Sequence, residues 1–118
     1  MKGGMLTIPV VGAPSVTELD HCPTLDVLKE AIGGGYIEAV PGFESIRIGA
    51  RGKRERCVAF CDEEGKLKGM PLNEIATTMW IRARAPTWGQ HGLPHFPPDV
   101  LCGPVVVVYG DDELLDAL

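Results

Sequence analysis

Arg47, Arg51, Lys53, Arg54 and Arg56 place five of the chain's 11 basic residues within ten positions. Cations held so close repel one another, and a guanidinium grips phosphate oxygens through paired N–H donors, so the cluster suits a nucleotide, a nucleic acid or an acidic protein face. Trp88 adds an aromatic surface on which a base or ring can stack. Glu55 interrupts the run, and ordinary solvated charge on an exposed hairpin is the competing reading.

Sulfur and imidazole form a second group. Cys57 and Cys61 with His91 and His95 make up a Cys₂His₂ set of the kind that holds zinc. The spacing works against it. On a strand, Cys57 and Cys61 face the same way but sit about 13 Å apart at about 3.3 Å per residue, and Phe96-Pro97-Pro98 after His95 leaves no helix to present both imidazoles. Cys57, Cys61 and Cys102 read instead as small core residues, as reduced cysteine often is.

Other polar groups suggest less. Asp62, Glu63 and Glu64 fall in a turn and read as solvated. The run Gly33-Gly34-Gly35 looks like a phosphate loop, but such loops precede a helix whereas this one follows it, so a helix stop and tight turn is the simpler reading. No serine stands beside a base as a catalytic triad requires. Asn73 before Glu74 reads as a helix cap.

The elements that must position these residues follow from periodicity and turn chemistry. Met5 to Val10 and Ser15 to Asp20 predict a hairpin about Gly12-Ala-Pro14. Thr24 caps a helix on which Leu25, Leu28 and Ile32 share a face, and Gly33 ends it. Tyr36 to Val40 is a strand closed by Pro41-Gly42. Phe43 to Ile48 and Arg56 to Asp62 form a β-ribbon whose tip, Gly49 to Glu55, is basic and narrow enough to enter a DNA major groove. In the next turn Gly65 is expected at positive φ, with Leu67 opening a short paired segment.

A second helix is expected from Glu74 to about Ala83, ended by Pro86, with Trp80 in the core. A 15-residue connection from Ala85 to Asp99 follows, anchored by Trp88. The last strand is apolar on both faces and therefore central, with pairing from Val105 because Pro104 donates no ladder hydrogen bond. Asp111 to Leu118 is a short acidic helical tail. The expected fold is a single α+β domain over residues 1–118. A mostly antiparallel sheet of about five or six strands carries two main helices on one face, behind a short flexible terminus at 1–4.

Composition fits this picture. The 118 residues are 45% hydrophobic and 23% charged, with a net charge of −5. That excludes wholesale disorder and gives no global attraction to nucleic acid or anionic lipid. The charge is bipolar, with the basic ribbon set against acidic blocks at 62–64 and 111–116. No apolar run approaches the roughly 20 residues needed to cross a bilayer, and a cytoplasmic setting is expected.

Three stretches resemble, in order, the family known as domain of unknown function 3846. They are Leu28-Lys-Glu-Ala-Ile-Gly-Gly-Gly-Tyr-Ile-Glu38, Cys61-Asp-Glu-Glu-Gly-Lys-Leu-Lys-Gly-Met-Pro-Leu-Asn73 and Asp99-Val-Leu-Cys-Gly-Pro-Val-Val-Val-Val108. The resemblance implies a compact α+β fold and a phage or other mobile-element setting, with no activity to transfer. The glycine triple stands where the family has a pair, and the ribbon tip and the Trp88 to Pro98 segment are elaborations.

The expected function is that of a non-catalytic binding protein without a cofactor. It would sequester a nucleotide-like or other anionic small ligand, such as a host defence signal, through Arg47, Arg51, Lys53, Arg54, Arg56 and Trp88, with a homo-oligomer as one way to complete the pocket. A module binding a host protein or nucleic acid through ribbon 47–56 is the alternative. A metal-dependent hydrolase of a phosphorylated substrate is the contrasting class.

Overall fold

The structure is a computed structural model that describes residues 1–48, 52–91 and 100–118, excepting the side chains of 85–91. Six strands form an antiparallel sheet in the order β2-β1-β6-β5-β3, with β4 paired to β5 beside β3. They are β1 (Gly3–Ile8), β2 (Ser15–Leu19), β3 (Ile37–Ala39), β4 (Ser45–Arg47), β5 (Arg54–Asp62) and β6 (Val105–Gly110). The helices are α1 (Leu25–Ala31), α2 (Glu74–His91) and α3 (Asp112–Asp116). The α+β class, the sheet and its single-domain character are as expected.

β6 lies at the centre for the reason its sequence gives. Val105, Val106, Val107 and Val108 are all fully buried, so both faces of the strand need cover. Successive side chains point to opposite faces. Val105 and Val107 join Leu6, Ile8, Ala59, Ala76 and Trp80 in one core, which α2 covers. Val106 and Val108 join Met5, Leu28, Ile32, Leu114 and Leu115 in another, covered by α1 and α3. The main helices thus sit on opposite faces of the sheet, not on one. A strand that is apolar all round cannot be satisfied by a single helical layer.

Other boundaries also differ. β1 begins at Gly3 rather than Met5, because Gly3 and Gly4 pair with Leu19 and Glu18 on one side and with Gly110 and Tyr109 on the other. α2 runs through Pro86 to His91 and does not end near Ala83. The expected long connection is therefore helical over its first part, and residues 92–99 lie outside the described residues. Pro86 has no N–H to give the carbonyl four residues back, that of Arg82. That carbonyl accepts instead from Arg54 Nη2 at 3.3 Å.

The caps behave as their residue types dictate. Thr24 Oγ1 accepts from the Val27 N–H at 3.3 Å, and Asp111 Oδ1 from the Leu114 N–H at 2.9 Å. Asn73 does more than cap α2. Its Oδ1 accepts from the Ala76 N–H, while its Nδ2 donates to the carbonyls of Ile8 and Gly103 at 2.9 and 3.0 Å. Fully buried, it ties the helix start to β1 and to the approach to β6.

Candidate functional site

The ribbon forms, but β5 begins at Arg54 rather than Arg56, so Arg54 and Glu55 of the expected tip belong to the strand, and residues 49–51 of that tip lie outside the described residues. In the β4–β5 ladder Arg47 stands opposite Arg54 and Ser45 opposite Arg56. Like charges directly across a ladder destabilise it, so this pairing needs an external reason or ample solvent. Arg54 is partly engaged, donating from Nη1 to Ser45 Oγ at 3.0 Å and from Nη2 to the Arg82 carbonyl. Arg47 and Lys53 are exposed and have no acidic partner among the described residues.

Arg56 is different. Its Nη1 donates to Asp112 at 2.8 Å, and Asp116 lies 3.4 Å from the same guanidinium. The Asp112 hydrogen bond holds this guanidinium above its ordinary pKa. The two charged poles of the sequence therefore meet, and the acidic tail neutralises one member of the cluster. Arg51 lies outside the described residues. Trp88 lies on α2, but its side chain is outside the description.

Lys53, Arg54 and Arg56 line one wall of a broad open groove of about 1020 Å³. Tyr109 lines it too, with Glu18 and Glu55 nearby. The site is thus mixed in charge, with cations grouped at the start of β5.

Two of the three thiols expected in the core are there, whereas Cys102 is only half-buried and belongs to neither core. Cys57 and Cys61 are buried in the α2-side core. Burial pushes their pKa values up to about 12 and about 11, which keeps both protonated and poorly nucleophilic. Cys61 Sγ donates to Glu38 Oε1 at 3.8 Å and Cys57 Sγ to the Phe43 carbonyl at 3.6 Å. No group of three metal-ligating side chains occurs among the described residues. The side chain of His91 and all of His95 lie outside them.

A second polar cluster was missed from sequence. Asp62, expected to be solvated, has a side chain only 1% exposed and pairs with Lys68 at 2.7 Å. It also accepts from the Glu64 N–H at 2.9 Å, and these two bonds, Lys68 first, hold its carboxyl below the usual range. Lys68 is raised in turn by the same contact. The positive φ in this turn belongs to Gly69 and not Gly65, and Leu67 is 88% exposed within a turn rather than paired. The one signal available was a lysine six residues after an aspartate across a glycine-containing turn.

This pair sits where the three resemblance-bearing stretches converge. Gly33, Gly34 and Gly35 all have φ near +90°, at 87°, 89° and 87°, which ends α1 and admits the chain to β3. A Cβ on Gly35 would lie 2.6 Å from Asp62 Oδ2 and 2.8 Å from Lys68 Nζ, so only glycine lets the ion pair close. The Glu63 N–H donates to the Tyr36 carbonyl at 2.7 Å, and the Gly103 N–H to that of Pro71 at 2.8 Å. Beside this junction Trp80, Cys61 and Cys102 line a cavity of about 280 Å³.

No helix among the described residues is long and apolar enough to cross a membrane. Neither the curated proteins nor the solved structures contain a match to the chain. A family model does match, over residues 1–116, nearly the whole chain and all three converging stretches. By that match the chain belongs to the family described as Domain of unknown function (DUF3846).

Proposed function

We propose that this protein is a non-catalytic binding module that captures an anionic, phosphate-bearing small ligand on the β4–β5 ribbon. One observation carries the reading: Arg47 and Arg54 face each other in register beside Lys53, and neither Arg47 nor Lys53 has an acidic partner among the described residues. Folding brings these cations together against their mutual repulsion, and a bound polyanion relieves it. Arg56, already paired with α3, contributes less. Sequestration of a small signal molecule and its placement in a mobile-element setting are the finer form of the same proposal.

Native mass spectrometry of the protein purified from a bacterial cytoplasm tests it. The expected result is a stoichiometric phosphate-bearing compound on the wild type, absent from the double variant Arg47→Glu, Lys53→Glu. A ligand-free wild type that also fails to bind added pyrophosphate overturns the reading and turns attention to a host protein or nucleic acid as the ribbon's partner.

A further inference from the structure

Tyr109 occupies an unusual place in the groove beside the ribbon. It lies in one row across the sheet, with Gly4 of β1 on one side and Cys57 of β5 on the other, and Glu18 of β2 beyond Gly4. Gly4 has no side chain, and a Cβ built there would overlap the Tyr109 phenol, with Cε1 2.9 Å away. The ring is therefore laid over the β1 backbone instead of standing up from the sheet. Tyr109 is half-buried, packs against the α2-side core and lines the groove.

The charged groups that line the groove with that ring are of two kinds. Lys53 and Arg54 supply cations and N–H donors, whereas Glu18 and Glu55 supply acceptors. These carboxylates are close enough to add to the burial that raises the phenol's pKa, so the hydroxyl stays protonated and neutral. A bare phosphate would use only the cations and be repelled by the acids. A ligand that joins a flat ring and hydroxyl or amino donors to a phosphate chain would use the ring and both kinds of charge.

We propose that the Tyr109 groove is a nucleotide site, in which a base stacks on the Tyr109 ring, a diphosphate meets Lys53 and Arg54, and ribose or base N–H and O–H groups donate to Glu18 and Glu55. This rests on the anion-binding reading of the ribbon and extends it to the ligand's class. The Gly4–Tyr109 contact also fits a purely structural role, in which an aromatic ring covers a glycine across a strand pair. The test is chosen to separate the two.

Calorimetric titration with ADP, pyrophosphate and adenosine is carried out on the wild type, Tyr109→Phe and Tyr109→Leu, each first checked for a cooperative unfolding transition. Stacking on one aromatic ring corresponds to about tenfold or more in affinity. The expected result is that ADP binds at least about tenfold more tightly than pyrophosphate. Tyr109→Phe keeps that advantage, and Tyr109→Leu loses it while still binding pyrophosphate. Equal binding of ADP and pyrophosphate, unchanged by Tyr109→Leu, overturns the groove while leaving the ribbon reading intact. Failure of both phosphate compounds to bind the wild type overturns both. Should Tyr109→Leu not fold, the comparison of ADP with pyrophosphate on the wild type decides alone.

Discussion

Asp62 shows how a single side chain can change character between sequence and structure. In the chain it is one of three consecutive acids in a polar turn; in the fold it is buried against Lys68 under Gly35. Its folded carboxyl is held below the unfolded value of 3.8, so its contribution to stability is complete above that value and is lost as pH falls through the lower, folded value. Urea midpoints measured from pH 5 down to pH 2 should therefore fall, and Asp62→Asn should flatten part of that fall while lowering stability at pH 7. Asp111, depressed by its bonds to the Leu114 and Lys2 N–H groups, titrates in the same direction, so some slope will remain in the variant. An unchanged acid limb in Asp62→Asn would mean that the pair contributes nothing to folding.

Among the elements, α2 departs furthest from its sequence signal. Proline inside a helix removes one hydrogen bond and crowds the preceding turn, and this usually ends the helix. Here the helix continues, and the carbonyl that Pro86 leaves free is bonded to Arg54 from the ribbon. Pro86→Ala would restore the N–H to that carbonyl. It should stabilise the protein by about 2 kcal/mol, less than the full helix-interior penalty because the unfolded chain also gains freedom. The same change sets Arg54 in competition for its acceptor, so the substitution should also tighten pyrophosphate binding if the ribbon is the anion site. A urea melt and a titration on one variant check both consequences. A destabilised Pro86→Ala would show that the proline suits the local backbone better than an N–H would.

For the molecule as a whole, the decisive feature is cover on both faces of β6. The terminal segment reads in sequence as an acidic tail, yet Leu114 is fully buried and Leu115 nearly so, beneath Val106 and Val108. Leu114→Ala should cost about 3 kcal/mol through lost transfer energy and the cavity left behind. Chemical denaturation measures it directly. Arg56→Ala at the exposed ion pair to the same helix should change stability little, because solvent screens that pair. If the leucine and arginine variants melted alike, α3 would be an ornament on the sheet rather than part of its core.

Local rules were enough for much of the fold. Thr24 and Asn73 as caps, the glycine stop at Gly33, the two hairpins, the start of pairing at Val105 and the central place of β6 each depend on a few neighbouring residues. Backbone propensity and turn chemistry act over that range. The basic ribbon was legible for the same reason, since its charges are adjacent in the chain and its strands are joined by one short tip.

What the sequence could not decide depends on residues far apart along it. The capture of Arg56 by Asp112 and Asp116, the burial of Asp62 under Gly35, the loan of the Arg82 carbonyl to Arg54 and the Tyr109 ring lying over Gly4 all join different elements. So does the split of the helices between two faces. By itself the sequence determined where most strands and helices begin and where the cations cluster, because those are local free-energy choices. Only the tertiary structure decided which charges are neutralised and which side chains share a groove, because side-chain partners across a sheet are fixed by register and packing, and those arise only when the whole chain has folded.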